Sequence, residues 1–259
     1  MKLITFSLWG DNLKYTVGAI RNAELAPKIY PGWICRYYIG QSTPDPIKWQ
    51  LETFDHVEIV EMPTPGDWTG MFWRFYAAGE EDVEAMISRD ADCRLSQREK
   101  TAVDAWLESN KGFHIMRDHP YHKFPVLGGM WGAKKDAIPN MKELIEGWNQ
   151  QDRYGTDYEF FAHAILPLVD NNTLIHDEFF GGSPFPAKRN KLEFVGEVFD
   201  ENDIITQLHF PNSIFFKNIS TVDERLQKKY KISRLVRIEL MLFKKILSKF
   251  VELFFLDSL

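Results

Sequence analysis

Short apolar runs alternate with helical patterns over residues 1–90 of this chain. The runs are rich in β-branched and aromatic residues and predict strands at Leu3–Leu8, Trp33–Ile39, Val57–Glu61 and Val83–Ile87. Helical periodicity between them predicts helices at Tyr15–Tyr30, Lys48–Phe54 and Met71–Gly79. Because strands joined through helices form right-handed βαβ units, the pattern predicts an α/β domain. Its mixed sheet should be mainly parallel and flanked by helices.

The C-terminal segment, Thr221 to Leu259, has a different character. It carries nine Lys or Arg residues against five acids, in a chain whose net charge is −6. Its apolar residues recur with a helical period, at Leu235, Ile238, Leu242, Ile246, Phe250 and Phe254. We therefore expect an α/β domain over residues 1–220 and a basic amphipathic helical extension over residues 221–259. Two interpretations of the extension stay open: a helix packed on protein, or a helix at a membrane surface.

Composition narrows the possible functions. The 259 residues are 44% hydrophobic and 26% charged, as in ordinary globular proteins, and the net charge of −6 argues against general nucleic-acid binding. The apolar run after Met1 is too short for a signal peptide, and no stretch of about 18 uncharged apolar residues predicts a membrane span. The spacing of Cys35 and Cys93 does not indicate a disulfide. We expect a cytoplasmic protein whose extension would meet the cytoplasmic face of a membrane.

Asp90 and Asp92 follow the fourth predicted strand and form the most informative short motif. In open α/β sheets, ligands bind beyond the carboxyl ends of the strands, where this Asp-x-Asp sequence would lie. Carboxylate oxygens are hard ligands suited to Mg²⁺ or Mn²⁺, and such an ion neutralises a diphosphate leaving group. The alternative is a solvated turn in which Asp92 caps the helix predicted at Glu99–Asn110.

Four segments in this order resemble the GT-A-type nucleotide-sugar glycosyltransferases, in particular bacterial and viral sugar transferases with an Asp-x-Asp motif. They are the strand end Ser88–Asp92 with its following helix, the strand and loop Phe113–Pro120, the glycine-rich Pro125–Gly132, and the helix start Tyr154–Phe161. The resemblance covers roughly residues 1–200 and departs at Tyr158, where many relatives carry Gln. It implies a GT-A-like (Rossmann-like) fold. It also implies metal-dependent transfer of a sugar from a nucleoside diphosphate, UDP foremost, to a hydroxyl acceptor.

The resemblance implies a donor side at the ends of the first and fourth strands. The positions that match the family's nucleotide-binding strand and loop are Leu8, Trp9 and Gly10. Asp90 and Asp92 match the metal–diphosphate pair, with Asp92 the more direct ligand, so Mn²⁺ or Mg²⁺ is the implied cofactor. Arg74 is implied in donor binding, through an ion pair to Asp90 or to phosphate. The alternatives are core packing for Trp9 and a purely structural salt bridge for Arg74.

The resemblance also implies an acceptor side. Its expected substrate contacts come from Arg117, Asp118, Gly129, Met130 and Trp131, and the alternative for Trp131 is a core position beside a tight turn. Asp157 is the candidate catalytic base, since inversion at the anomeric carbon requires a group that takes the proton of the attacking hydroxyl. If configuration is instead retained, which the sequence leaves open, the same carboxylate would only orient the acceptor; a further alternative is an N-cap. Relatives supply a late histidine as a third metal ligand, for which His176 and His209 are the candidates.

Two other functions stay open at this point. A sugar nucleotidyltransferase has a similar fold, but its early glycine-rich loop with Arg and Lys is not matched by Trp9–Asn12. A non-catalytic module would instead use the C-terminal extension to bind a membrane or a partner protein. For the glycosyltransferase, the expected partners are a nucleotide-sugar donor and a glycan, lipid-linked or protein acceptor, with no nucleic acid.

Overall fold

A seven-stranded sheet forms the centre of the protein. The structure is a computed structural model that describes residues 1–190 and 193–206. The strands are β1 Lys2–Leu8, β2 Ile34–Ile39, β3 Val57–Glu61, β4 Ala85–Ser88, β5 Phe113–Arg117, β6 Trp131–Lys134 and β7 Thr173–Asp177. They lie in the order β3-β2-β1-β4-β6-β5-β7. Strand β6 is antiparallel to both neighbours, and the remaining pairs of this sheet are parallel. The predicted α/β fold with a mainly parallel mixed sheet is therefore confirmed.

Helices cover both faces of the sheet. The α-helices are α1 Leu13–Ile29, α2 Asp45–Glu52, α3 Gln97–Glu108, α4 Met141–Glu146, α5 Thr156–Phe160 and α6 Leu166–Val169. A π-helical turn, Phe161–Ile165, joins α5 to α6, and a short 3-10 turn, Asp170–Asn172, precedes β7. Within the described residues, none of the helices has the length and apolarity needed to cross a membrane.

The segment Trp68–Gly79 is a 3-10 helix, where the sequence pattern predicts an ordinary helix from Met71. Phe72, Phe75 and Ala78 recur every three residues and are all buried. This spacing matches the three-residue turn of a 3-10 helix, in which side chains at i and i+3 lie above one another. The tighter turn thus keeps one aromatic row in the core.

The core has two layers, one on each face of the sheet. On β1, Ile4, Phe6 and Leu8 share a buried cluster with apolar residues of α1 and α3. Leu3, which points to the opposite face, shares the second cluster with the 3-10 helix, α4 and α5. Because apolar side chains cover both faces, the sheet is a rigid support for the loops at its edge.

The antiparallel direction of β6 brings two loops together at the carboxyl end of β4. β4 ends at Ser88, and Ser88 pairs with Trp131, the first residue of β6. The loop after β4 and the loop before β6 therefore lie side by side. The Ser88 Oγ donates a hydrogen bond of 2.6 Å to the Gly128 carbonyl oxygen, which fastens the two loops together.

Three interpretations of the sequence concern the cap of α3, the two cysteines and the C-terminal extension. Asp92 does not cap the following helix; α3 begins at Gln97, and the Ser96 hydroxyl accepts from the Glu99 N–H at 3.3 Å. Cys35 and Cys93 are both buried and unpaired, as expected from their spacing. The predicted extension, residues 221–259, and the candidate ligand His209 lie outside the described residues.

Candidate functional site

Arg74 and Asp90 form an ion pair at the carboxyl end of β4. The Arg74 Nη1 lies 2.5 Å from Oδ1 of Asp90 and donates to the Arg89 carbonyl oxygen at 2.8 Å. The guanidinium is buried, whereas 43% of the Asp90 side chain is exposed. The backbone N–H of Arg74 donates to the Ser7 hydroxyl, so the 3-10 helix is attached to β1 beside the pair. Asp90 is therefore held on one side and open on the other.

Asp90 and Asp92 lie close enough to share one cation. One carboxylate oxygen of each residue and the Cys93 Sγ lie within 4.8 Å of one another. Asp92 is buried, and its Oδ2 lies 2.7 Å from the Nζ of Lys14 on α1. Burial raises the pKa of Asp92, and the charge of Asp90 raises it further against the opposing effect of Lys14. Asp90 and Asp92 thus each have one cationic partner, Arg74 and Lys14, and each keeps a further carboxylate oxygen.

The oxygen atoms of Asp90 and Asp92 suit a divalent cation. Asp90 offers an exposed carboxylate, and Asp92 has a second oxygen besides the one that faces Lys14. Two such carboxylates, with water, supply the oxygen ligands that Mg²⁺ and Mn²⁺ prefer. The Cys93 thiol is a poor third ligand, because burial and the nearby carboxylates raise its pKa well above the ordinary value and keep it protonated.

Gly128 and Gly129 allow the loop before β6 to approach the acidic residues. A Cβ atom on Gly129 would lie 2.2 Å from Oδ2 of Asp90. One on Gly128 would lie 2.2 Å from Oδ2 of Asp157 and 2.8 Å from Nη2 of Arg74. All three distances are well inside van der Waals contact, so a side chain at either position would displace its neighbours. The glycine pair thus lies between Asp90 and Asp157 and brings both to one site.

Helix α5 carries Asp157 into this site. Gly155, at φ +80°, is the N-cap of α5, and Asp157 is the second residue of the helix rather than its cap. Phe160 packs edge-on against Phe72 of the 3-10 helix, with ring centroids 5.3 Å apart. Since Arg74 is on that same 3-10 helix, the aromatic contact sets the position of Asp157 relative to Arg74.

The pKa of Asp157 is higher than that of an ordinary carboxyl group. Its side chain is buried, and this burial raises its pKa to about 6. The Arg74 guanidinium opposes the shift, and the negative charge of Asp90 adds to it. A carboxyl that titrates near neutral pH is suited to exchange a proton with a substrate.

The end of β1 lies at the same edge. Leu8 is buried in the core, and Gly10 has a φ of +71° and donates its N–H to the Ser42 hydroxyl at 2.8 Å. Trp9 is half-buried and meets Trp73 edge-on, with centroids 6.0 Å apart. A Cβ on Gly66 would lie 2.4 Å from the Trp9 Cβ, so backbone supports one side of the residue. Trp9 is thus positioned by packing and remains partly accessible.

The structure places Arg117 and Asp118 in ion pairs apart from the carboxylate pair. Arg117 contacts Asp177 at 2.8 Å. Asp118 is fully buried; it accepts from Arg98 and Arg189, and its Oδ2 also accepts from the Val195 N–H. A carboxylate with this many protein donors has no free lone pair for a sugar hydroxyl.

Met130, Trp131 and His176 are also buried. Trp131 stacks on Phe113 with centroids 5.3 Å apart and belongs to the core, the alternative left open by its sequence. His176 is bonded to His114 through ring nitrogens 2.8 Å apart, and burial lowers its pKa to about 4. Among the described residues, the group that could hold a metal is Asp90, Asp92 and Cys93, and His176 is not part of it.

Lys14 is the functional residue that the sequence pattern did not reveal. It lies in the first turn of α1, behind the Asn12 cap, whose side chain accepts from the Lys14 N–H at 3.0 Å. Burial opposes its charge, but the contact with Asp92 raises the pKa of Lys14 to about 12. The sequence signal for Lys14 is its position in the first turn of the helix that follows the first strand. Such helix starts face the carboxyl ends of the strands, where ligands bind.

Comparisons with known proteins give likenesses of structure only. The sequence matches no family model and no curated protein. Similar solved structures include a glycosyltransferase involved in the glycosylation of the major capsid of PBCV-1, at 16% identity and a TM-score of 0.47. Others are 4-diphosphocytidyl-2C-methyl-D-erythritol synthase from Anaerococcus prevotii (13%, 0.48) and glucosyl-3-phosphoglycerate synthase from Mycobacterium tuberculosis in complex with Mn²⁺ and UDP (11%, 0.45). Each likeness covers 68% of this chain and, respectively, 81%, 86% and 68% of the other chain.

Proposed function

We propose that this protein is a metal-dependent glycosyltransferase that moves a sugar from a nucleoside diphosphate, UDP in the first instance, to a hydroxyl acceptor. One observation carries the proposal. Asp90 and Asp92 offer carboxylate oxygens close enough to share one cation, and the glycine pair lies between Asp90 and the buried carboxyl of Asp157, whose pKa is about 6. A cation site and a proton acceptor next to each other are what displacement of a diphosphate by a hydroxyl requires.

On the donor side, the chain's own residues would bind and orient the nucleotide. Asp90 and Asp92 would hold Mg²⁺ or Mn²⁺, which when bound neutralises the charge of the diphosphate that leaves. Arg74 is paired with Asp90 and so holds that carboxylate in place. Trp9, half-buried at the end of β1, offers a flat apolar surface for the nucleotide base.

On the acceptor side, Asp157 would take the proton of the attacking hydroxyl. Its carboxylate is buried, so little water competes for it, and its pKa of about 6 leaves it ionised at neutral pH. Proton transfer to Asp157 strengthens the nucleophile as the bond to the anomeric carbon forms. A base in this role corresponds to transfer with inversion of configuration.

A test of the cation site is Asp92→Asn. We expect UDP to bind wild-type protein in a Mn²⁺-dependent way, and the variant to lose at least about tenfold in UDP affinity, since a neutral amide binds the cation poorly. Calorimetric titration of UDP and of GDP, with Mn²⁺ and with EDTA, measures this loss. The matched control is Asp104→Asn, an exposed partner of Lys100 on α3. Full Mn²⁺-dependent binding or activity in Asp92→Asn would remove the metal assignment.

Lys14 favours a second candidate, a sugar nucleotidyltransferase. The loop Trp9–Asn12 lacks basic residues, but α1 brings the Lys14 ammonium within 2.7 Å of Asp92. A cation at this position would suit the phosphates of a nucleoside triphosphate. The two functions release different products: a nucleotidyltransferase forms pyrophosphate from UTP or CTP and a sugar 1-phosphate, whereas a glycosyltransferase forms a nucleoside diphosphate. A pyrophosphate-release assay distinguishes them.

A further inference from the structure

Four aromatic side chains form a continuous surface beside Asp157, which we call the aromatic platform: Trp68, Phe124, Tyr154 and Tyr158. The Trp68 ring meets Tyr154 edge-on at 5.5 Å, Tyr154 meets Tyr158 edge-on at 6.3 Å, and Phe124 stacks on Tyr158 at 4.2 Å and 22°. These rings come from three separate segments of the chain. The platform is therefore a product of the tertiary fold.

Three of the four side chains of the platform are exposed to solvent. Trp68 and Phe124 are each 39% exposed, and Tyr154 is 67% exposed. Contact between aromatic surface and water is unfavourable in free energy. A contiguous exposed apolar patch on a folded protein commonly marks a binding site.

The platform is also held in place. The Asp152 carboxylate accepts from the Trp68 backbone N–H at 3.1 Å, which joins the 3-10 helix to the loop before α5. Gly155, in the left-handed region at φ +80°, brings the backbone under the Tyr158 ring, where a Cβ would be 3.2 Å from two ring carbons. A pre-positioned surface loses little conformational entropy when it binds a ligand.

The platform and the proposed base belong to one helix. Tyr158 follows Asp157 directly in α5, and its hydroxyl lies 3.4 Å from that of Tyr154. A molecule lying on the platform would therefore bind next to the helix that carries Asp157.

The charges around the platform select the kind of ligand. Close to these rings along the chain are three exposed acids, Asp67, Asp152 and Glu159, and two exposed bases, Lys123 and Arg153, so the net charge is negative. Arg153 is paired with Glu159 at 2.5 Å. An anionic lipid headgroup would be repelled by these carboxylates. A neutral sugar ring fits them, because its C–H face packs on aromatic rings while its hydroxyls donate to carboxylates.

We propose that the aromatic platform binds a sugar ring of a carbohydrate acceptor and directs one of its hydroxyls towards Asp157. The binding of a sugar is inferred from the platform alone. That the sugar is an acceptor rests on the proposed transferase function. It selects a glycan from the three acceptor classes, glycan, lipid-linked and protein.

The test compares Trp68→Ala and Tyr154→Ala with Trp49→Ala. Trp49 is a matched control, since it is a 64% exposed aromatic residue on α2 and is not part of the platform. The probes are methyl glycosides of glucose, galactose, mannose and N-acetylglucosamine, with lactose and maltose, observed by saturation-transfer NMR. We expect at least one probe to bind wild type and the control equally, and each platform variant to bind it about fivefold or more weakly.

Three results would overturn the inference. They are no binding of any probe to wild type, equal binding by wild type and both platform variants, or a loss in the platform variants of binding to anionic vesicles or to a lysine-rich peptide instead of to sugars. Unchanged thermal unfolding of the variants confirms that they fold. UDP binding with Mn²⁺ is measured in parallel: its absence in wild type contradicts the proposed function, while sugar binding that depends on Trp68 would still support the platform.

Discussion

At the residue scale, the site contains carboxyl groups with opposite surroundings. The Asp90 side chain is 43% exposed and is paired with Arg74, whereas Asp157 is buried and its pKa is raised to about 6. The first arrangement leaves carboxylate oxygens accessible to a cation; the second allows a proton to be taken up and released near neutral pH. The same functional group would thus suit two different roles, because the protein buries one carboxyl and leaves the other partly exposed.

The pKa of Asp157 predicts how transfer depends on pH. Asp157 must be ionised to accept a proton, so the rate should be constant above its pKa of about 6 and fall about tenfold for each pH unit below it. Initial rates of transfer from pH 4.5 to 8, with UDP and Mn²⁺ binding measured at each pH, test this directly. Asp157→Asn should be nearly inactive at all pH values while still binding UDP. A variant as active as wild type would disprove the role of Asp157 as base.

At the element scale, the antiparallel strand β6 and the glycine pair before it assemble the site. A parallel strand in this place would put Gly128 and Gly129 at the opposite edge of the sheet, away from Asp90. The pairing of Ser88 with Trp131 and the hydrogen bond from Ser88 to Gly128 set the register. The position of the glycines is therefore a consequence of strand direction, and their lack of side chains lets the carboxyls come near.

Gly129→Ala tests this close approach. Its Cβ would lie 2.2 Å from Oδ2 of Asp90, so the Asp90 side chain must move, and UDP–Mn²⁺ affinity should fall about tenfold or more. Because the Cβ would also lie 2.9 Å from the Asp90 backbone nitrogen, the loop must shift too, and we expect the free energy of unfolding to fall by about 1–3 kcal/mol. Gly79→Ala is the control, because its Cβ would meet neighbours at 3.3 Å. Wild-type affinity in Gly129→Ala would show that the site tolerates a side chain there.

At the scale of the whole molecule, Asp118 joins distant parts of the chain. It follows β5 and is bonded to Arg98 of α3, to Arg189, and to the Val195 N–H. Arg98 also contacts Glu178 at 2.8 Å, just after β7. A buried charge is tolerated when several donors compensate its lost hydration, and here those donors attach the segment after β7 to the domain.

Asp118→Ala should therefore reduce stability and leave substrate recognition intact. Removing the carboxylate leaves Arg98 and Arg189 without their shared partner, so the free energy of unfolding should drop by about 3–5 kcal/mol. Urea denaturation measures this change, and the exposed Asp104→Asn should change it by less than about 0.5 kcal/mol. UDP affinity measured at low temperature should stay at the wild-type value. A small stability change with a loss of acceptor affinity would support the substrate role that the sequence resemblance implied.

Local sequence patterns predicted the first four strands and several site residues, and missed one strand and a buried ion-pair network. The first four strands were predicted within two residues at either end, because alternating apolar residues and turn signals are local properties of the chain. Asp90, Asp92 and Arg74 were selected as candidates, and the structure brings them together. Strand β6 was missed, since its four residues, Trp131–Lys134, include a glycine and show no alternation. The burial of Asp118 was also not foreseen, since its partners lie 20 to 77 residues away.

The sequence by itself determined the α/β order of elements, the acidic pair after β4 and the helix start that carries Asp157, because each is encoded by neighbouring residues. Only the tertiary structure decided which charges compensate one another: Lys14 with Asp92, Arg74 with Asp90, and Arg98 with Asp118. It also placed the aromatic platform beside Asp157. The physical reason is that electrostatic interactions and ring contacts depend on distance in space, which strand order and direction set and which separation along the chain does not reveal.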